Sequence, residues 1–380
     1  MRFIAAAMVF VFHVTLAQFF AERGAEQTLL SIFTQAGWAG VGFFFVLSGF
    51  VLTWSSRPGH SARGFWRRRF FKIYPSHVVT LVAAFVLLTW VTGVHVDAWQ
   101  ALLNLLLVQS WFPQFEIRAS LNGVSWSLSC EMLFYLAFPL LIRPIRAIRP
   151  ERLWAWAAGV AVVIFLVPVA SSMLPRDPLP GAGVAAYDFW IIYQFPPVRM
   201  LDFVFGMILA RIVMTGRRLP LDLGGSIALA IAAYALAPLF PAAYTLTAIM
   251  VVPMGLVIAA GAAAPPRPPT SLPGRAAVWL GEISFAFYLW HQLVLTYGQQ
   301  WLGAGRGLST PAALGVVVLL LAVTLVLSWM LFALVERPIM RRFAGPRRDR
   351  LAASGPPPAV PAGTAVGAEA DEGATRDAHP

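Results

Sequence analysis

Three ionisable side chains, His13, Glu131 and His291, stand inside long apolar stretches of the chain. At bilayer depth such groups cost at least a few kcal/mol each, so a functional role is their first reading. Arg2 precedes His13 by eleven residues, almost three helical turns. A helix would carry both on one face, with the imidazole roughly 16 Å along the axis from the guanidinium. A histidine so placed can act as a general base toward a hydroxyl near neutral pH. Packing against a neighbouring helix through a hydrogen bond is the competing reading.

Ser127, Glu131 and Tyr135 fall at i, i+4 and i+8 and share one helical face. The carboxylate would lie roughly 9 Å inside the bilayer and needs a partner. His13 is the candidate, because an acid that orients an imidazole is a recurrent catalytic device. An interhelical hydrogen bond without chemistry is the alternative. Cys130 points away from that face and reads as a small packing residue. Ser284, Tyr288 and His291 form a second polar stripe, which must face the bundle interior or a wet cavity; packing is an equal alternative. Arg67, Arg68, Arg69 and Lys72 cluster before another apolar run. Retention of positive charge on one side of a membrane explains such a cluster by itself. The functional reading is an anion site for the phosphates of a nucleotide-containing donor such as coenzyme A.

The elements that position these residues follow from composition. Of 380 residues, 59% are hydrophobic and 12% are charged, far below the roughly 25% charged of soluble proteins. Apolar runs of bilayer length recur along almost the whole chain. The spans expected are Phe3–Phe20, Gly37–Trp54, Tyr74–Val94, Ser125–Ile142, Trp154–Met173, Val198–Val213, Gly224–Phe240, Ala243–Ala262, Trp279–Tyr297 and Ala312–Val335. The fold class is therefore all-α, a polytopic membrane bundle of about ten transmembrane helices. Ala98–Phe112 is short and reads as an interfacial or re-entrant helix. Tyr187–Pro197 is aromatic, ends in two prolines and reads as an interfacial loop. The first apolar run lacks a clear cleavage site and contains His13, so it reads as a retained helix.

The net charge of +11 rests almost wholly on arginine, Lys72 being the only lysine. The arginines lie in short loops rather than on one soluble module, which argues against nucleic acid. Alternate loops divide the 28 basic residues 23 to 5, placing both termini in the cytoplasm. One cysteine permits no internal disulfide framework. Residues 1–343 read as one transmembrane domain, and 344–380 as a disordered cytoplasmic tail rich in Pro, Ala and Gly.

Several motifs now fall in order. Arg2–Phe3–Ile4–Ala5 leads to Phe12–His13. Next come Gly42–Phe43–Phe44–Phe45–Val46–Leu47–Ser48–Gly49–Phe50 and Arg69–Phe70–Phe71–Lys72–Ile73–Tyr74–Pro75. Trp126–Ser127–Leu128–Ser129–Cys130–Glu131 is followed by Phe134–Tyr135, and Arg199 by Asp202–Phe203 and Gly206. Leu280–Gly281–Glu282–Ile283–Ser284 leads to Tyr288–Leu289–Trp290–His291, and Glu336–Arg337–Pro338 closes the series. Together they resemble the acyltransferase 3 family of membrane acyltransferases over residues 1 to about 340. Lys72 stands where the family usually has a second arginine, keeping the charge but losing its bidentate geometry. Relatives carry several residues ahead of the first arginine, so the native start is expected further upstream.

The resemblance implies transfer of an acyl group, often acetyl, from acyl-CoA to a hydroxyl of a glycan, a lipid-linked sugar or a secondary metabolite. It implies His13 as catalytic base with Arg2 as its motif partner, and Arg69 and Lys72 at the donor phosphates. With Glu131 as second catalytic residue, the substrate-binding set is Arg2, Arg68, Arg69, Lys72, Trp126, Ser127, Tyr135, Ser284, Tyr288 and His291. Acyl-CoA is a co-substrate; no permanently bound cofactor and no metal are expected. A stand-alone member of the inner bacterial membrane is implied, without an appended esterase domain, and the Arg-rich, Lys-poor usage suits a GC-rich genome. Direct transfer is favoured, since neither Ser48 nor Ser127 sits in a nucleophile elbow. The competing class is a transporter using buried His and Glu as a proton relay; it does not account for the basic cluster or the ordered motifs.

Overall fold

The computed structural model describes residues 1–57, 61–179, 183–264, 271–302 and 307–344. The tail beyond Ala344, read above as disordered, lies outside the described residues. Within them the chain is all-helical, and each of the ten apolar stretches has one principal helix, although Ala243–Ala262 is broken at Leu246 and Thr247 between Ala242–Thr245 and Ala248–Ala263. These are α1 (Arg2–Leu16), α2 (Arg23–Ser55), α3 (Ala62–Val86), α4 (Trp126–Ala147) and α5 (Leu153–Ser171). They continue with α6 (Pro196–Met214), α7 (Leu223–Leu236), α8 (Ala248–Ala263), α9 (Leu272–Leu302) and α10 (Thr310–Leu331).

Six helical segments among the described residues are long and apolar enough to cross a bilayer: Gln27–Ser55, Ala62–Val91, Gly123–Ala147, Pro150–Ser171, Ala242–Ala263 and Thr310–Ala344. The chain is thus a multi-pass membrane protein. The remaining principal helices differ for visible reasons. α1 is apolar but only 15 residues long, and α7 is likewise short. α6 carries Arg199, Asp202 and Arg211 within 19 residues. α9 opens with Arg275 and Glu282.

Helix α2 is the axis of the bundle, packed most extensively against α6 and α1. Two glycines make the first contact possible. A methyl group on Gly49 would stand 1.9 Å from the carbonyl oxygen of Phe203, and one on Gly206 would stand 2.0 Å from that of Val46. Only side-chain-free residues let the two backbones touch. Around this crossing Phe45, Phe134 and Phe203 interlock, with ring centroids 5.1 Å and 4.9 Å apart. Their edge-to-face and stacked geometries add to area burial. The outer faces of α5 (Val162, Leu166, Val169) and α10 (Leu314, Val318, Val326) are exposed and apolar, as lipid contact requires.

One segment departs from expectation. Tyr187–Pro197 is helical for most of its length, through Ala186–Asp188 and Phe189–Gln194, and breaks only at Phe195 before α6 begins at Pro196. Proline is well placed at a helix start, where its missing N–H is not needed. Burial is the reason for order: Ile192 and Tyr193 sit in the main core. Arg118 clamps this region from a neighbouring turn. It is 1% exposed, donates to Gln194 and to the Pro113 carbonyl, and lies 5.3 Å and 5.6 Å from the rings of Phe115 and Phe189. Burial pushes its guanidinium down to about 10, so it stays charged at neutral pH. Within Ala98–Phe112 the helix runs Ala98–Leu105 and ends at Leu107, whose φ of 56° is in the left-handed region.

Candidate active site

A narrow cleft of about 90 Å³ opens where α1, α2, α3, α4 and α9 converge. Its walls hold Arg2 from α1, Arg69 and Lys72 from α3, Ser127, Glu131 and Tyr135 from α4, and Ser284 and Tyr288 from α9. Phe44, Phe45 and Ser48 of α2 and Phe285 of α9 complete it. Helical spacing explains the convergence. Ser127, Glu131 and Tyr135 are successive turns of one face, and so are Ser284 and Tyr288. Arg69 and Lys72 are one turn apart on α3, aimed at the same space.

The cations are held by neighbours rather than left loose. Arg69 lies over the rings of Phe65 and Tyr135, 5.6 Å from each centroid. Lys72 pairs with Glu336, which is 2% exposed and ends the segment Phe332–Glu336 that follows α10. On α4 the Tyr135 hydroxyl donates to Glu131 Oε2 at 3.2 Å. Deeper in the cleft the Tyr288 hydroxyl donates to the Val124 carbonyl at 3.2 Å, and Ser127 Oγ donates to the Tyr288 oxygen at 2.9 Å. A chain of hydroxyls therefore ends at the cleft surface.

The two histidines lie beyond this hydroxyl chain. His291 is fully buried, and its Nδ1 is 2.6 Å from the carbonyl of Tyr288, the residue whose ring lines the cleft. A carbonyl only accepts, so Nδ1 carries the proton and Nε2 carries a lone pair. That Nε2 stands 3.2 Å from His13 Nδ1, which also lies 2.9 Å from the Val9 carbonyl. The same reasoning puts the proton of His13 on Nδ1. Its Nε2 is then the atom with a free lone pair, the form a general base requires. Rings of Phe12 and Phe287 pack on the pair and hold both imidazoles in place.

Eight of the twelve residues singled out from the sequence thus line one cleft, and His13 and His291 pair beside it. The other two lie elsewhere. Trp126 sits in the aromatic core, 6.0 Å from Phe45 and 4.8 Å from Tyr193. Arg68 faces an adjacent cavity. The expected pairing of Glu131 with His13 gives way to different partners: Tyr135 engages Glu131, while Val9 and His291 engage His13. A bonding neighbour one turn away on the same helix needs no interhelical fit, which favours Tyr135. The sequence presents Glu336 only as part of a closing motif, and its partnership with Lys72 comes from the fold. Its signal was an acid closing the most apolar of the spans. Arg199 and Asp202 form a fully buried ion pair at 2.7 Å, with the guanidinium 5.0 Å from the Phe45 ring. Among the described residues no three His, Cys, Asp or Glu side chains gather as a metal site would require.

A family described as an acyltransferase domain matches residues 1–333, and the chain belongs to this family, acyltransferase 3. It is 41% identical over 369 residues to the acyltransferase MdmB of Streptomyces mycarofaciens, covering 95% of this chain and 94% of that protein. It is 27% identical over 318 residues to the exopolysaccharide production protein ExoZ of Rhizobium meliloti, covering 80% and 90% respectively. Identity to the peptidoglycan O-acetyltransferase OatA of Listeria monocytogenes is 23% over 349 residues, 81% of this chain and 52% of that protein. No solved structure matches the chain. The protein is an acyltransferase embedded in a membrane.

Proposed function

We propose that the chain moves an acyl group, acetyl by preference, from acyl-CoA to a hydroxyl of a carbohydrate or secondary-metabolite acceptor. The observation that carries this reading is one convergence. Arg2, Arg69 and Lys72 meet Ser127, Glu131 and Tyr288 in a single cleft, beside a histidine pair whose tautomers leave His13 Nε2 free. In this scheme His13 Nε2 takes the proton of the acceptor hydroxyl as its oxygen bonds to the thioester carbonyl carbon. The Ser127 hydroxyl, turned from Tyr288 toward the bound thioester, supplies a donor for the developing oxyanion, while Tyr288 keeps its bond to the Val124 carbonyl. The carbon–sulfur bond then breaks, and the thiolate leaves with the proton held by His13. Glu131 offsets the nearby cations and accepts a hydrogen bond from the acceptor.

The charge division among loops supports ten spans with both termini in the cytoplasm, hence a cleft whose cationic end faces the cytoplasmic donor pool of the cell membrane. Two relatives are named for exopolysaccharide production and peptidoglycan O-acetylation, which supports a sugar hydroxyl as acceptor. The test is transfer of labelled acetyl from acetyl-CoA in membranes containing the protein, with mass spectrometry of surface glycans and secreted metabolites from a deletion strain. Loss of one acetylated product in that strain, restored by the native gene and not by a His13→Gln copy, is the expected result. Unchanged glycans and metabolites would overturn the reading.

A further inference from the structure

A second cavity adjoins the cleft and shares Arg69 with it. It measures about 460 Å³, within the roughly 300–1,000 Å³ range of ligand pockets. The C-terminal end of α2, the first turns of α3 and the C-terminal end of α4 form its walls. Among the described residues five arginines line it, Arg57, Arg68, Arg69, Arg143 and Arg146, and no carboxylate does. Two of these arginines have neutral partners: Arg146 donates to the carbonyl and hydroxyl of Ser56, and Arg69 rests on aromatic rings. Cytoplasmic retention of positive charge needs arginines that reach into water. It does not need five of them around one hollow. The N-terminus of α3, capped by Ser61, opens into the same space and adds the positive end of its dipole. Phe65 and Phe138, stacked with centroids 4.9 Å apart, give the cavity a flat apolar wall.

The two volumes differ by a factor that matters. The cleft has room for a slender chain but not for a nucleotide. A thioester of coenzyme A has such an order: a narrow arm, then a diphosphate, then an adenosine with a ribose 3′-phosphate. We infer that the arginine cavity holds the phosphorylated adenosine end of the donor. The arm passes Arg69 into the cleft, the diphosphate lies near Arg69, and the 3′-phosphate meets Arg143 and Arg146 farther out. This rests on the acyl-CoA reading above and adds to it a specificity determinant for the 3′-phosphate.

The experiment uses the full chain in nanodiscs and needs no acceptor. Labelled acetyl-CoA is displaced by coenzyme A or by 3′-dephospho-coenzyme A, in the wild type and in Arg143→Gln and Arg146→Gln. Charge-assisted contacts of this kind set the expected scale at about tenfold or more. Wild type should bind the dephospho form about tenfold more weakly. Arg143→Gln should lose that discrimination, binding both forms with similar affinity. Arg143 is exposed, so its replacement leaves the fold intact even if Arg146→Gln, which loses the contact to Ser56, does not. Equal wild-type affinity for the two forms would overturn the inference and leave the donor reading standing. Failure of acetyl-CoA to bind at all would remove both. A parallel arm adds cardiolipin to the nanodiscs. If Arg143→Gln alters retention of that anionic lipid but not the 3′-phosphate preference, the cavity is a headgroup site and the inference falls.

Discussion

His13 Nδ1 and His291 Nε2 stand 3.2 Å apart, joining α1 to α9 beside the cleft. One proton lies between them, and the carbonyls of Val9 and Tyr288 fix which atom carries it. His13→Gln retains size and hydrogen bonding but cannot take up a proton. It should lower acyl transfer by about 10²–10⁴-fold, with acetyl-CoA binding largely unchanged. The check is labelled acetyl transfer in purified membranes with expression matched by immunoblot. Near wild-type turnover in the Gln variant would remove His13 as the base and make Glu131 the leading candidate.

His291 acts on the reaction through His13, as a positioning residue. In His291→Gln the amide oxygen can still accept from His13 Nδ1, whereas His291→Phe keeps an aromatic ring and offers no acceptor. The Gln variant should stay within about tenfold of wild type in kcat, and the Phe variant should fall well below it. Equal loss in both would mean that packing, not the hydrogen bond, is what His291 supplies.

At the cationic end, Arg69→Ala should weaken acyl-CoA binding by one to two decades, corresponding to about 1.5–3 kcal/mol for a charge-assisted contact. Lys72→Arg preserves the charge opposite Glu336 and should retain or improve affinity. Equilibrium binding of labelled acetyl-CoA reads both. Unchanged affinity in a folded Arg69→Ala protein would reduce the basic cluster to a determinant of membrane orientation.

Topology has its own check. Reporter fusions after Ile142 and Val213 should report the cytoplasm, and fusions near Glu116 and Leu308 the opposite side. A cytoplasmic signal at Glu116 would break the ten-span arrangement.

Gly206→Ala places a methyl 2.0 Å from the Val46 carbonyl, and no rotamer relieves contact with backbone. Separation of α2 from α6 should cost about 3 kcal/mol and lower the thermal midpoint of the detergent-solubilised protein by several degrees. Gly159→Ala, with nothing within 4 Å, should be neutral or stabilising. Equal midpoints for the two variants would contradict the crossing.

Which of these features the sequence could reveal depended on the distance over which they are encoded. Apolar runs are local, so each of the ten stretches finds one principal helix, while the break at Leu246 and Thr247 inside Ala243–Ala262 has no apolar signature. The stripe Ser127, Glu131, Tyr135 is also local, and all three side chains line the cleft. Partnerships between helices are not written in spacing. Nothing in the chain says that His13 meets a residue 278 positions away, or that Lys72 meets one 264 away. Glu131 meets Tyr135 rather than His13 for that reason: depth alone cannot tell which helix lies alongside. The aromatic stretch before α6 is ambiguous for a different reason, because two prolines can end order or, as here, start a helix.

The cleft is built from both ends of the domain. Arg2 enters it from the first helix, and Glu336, after the last principal helix, secures Lys72 in its wall. During synthesis, therefore, nine principal helices can leave the ribosome before the residue that neutralises Lys72 exists. A chain arrested before residue 336 would already have its histidine pair but would present an unpartnered lysine at the donor end. Competence in this protein is thus acquired late, with the final turn of the domain, rather than growing as each helix is added.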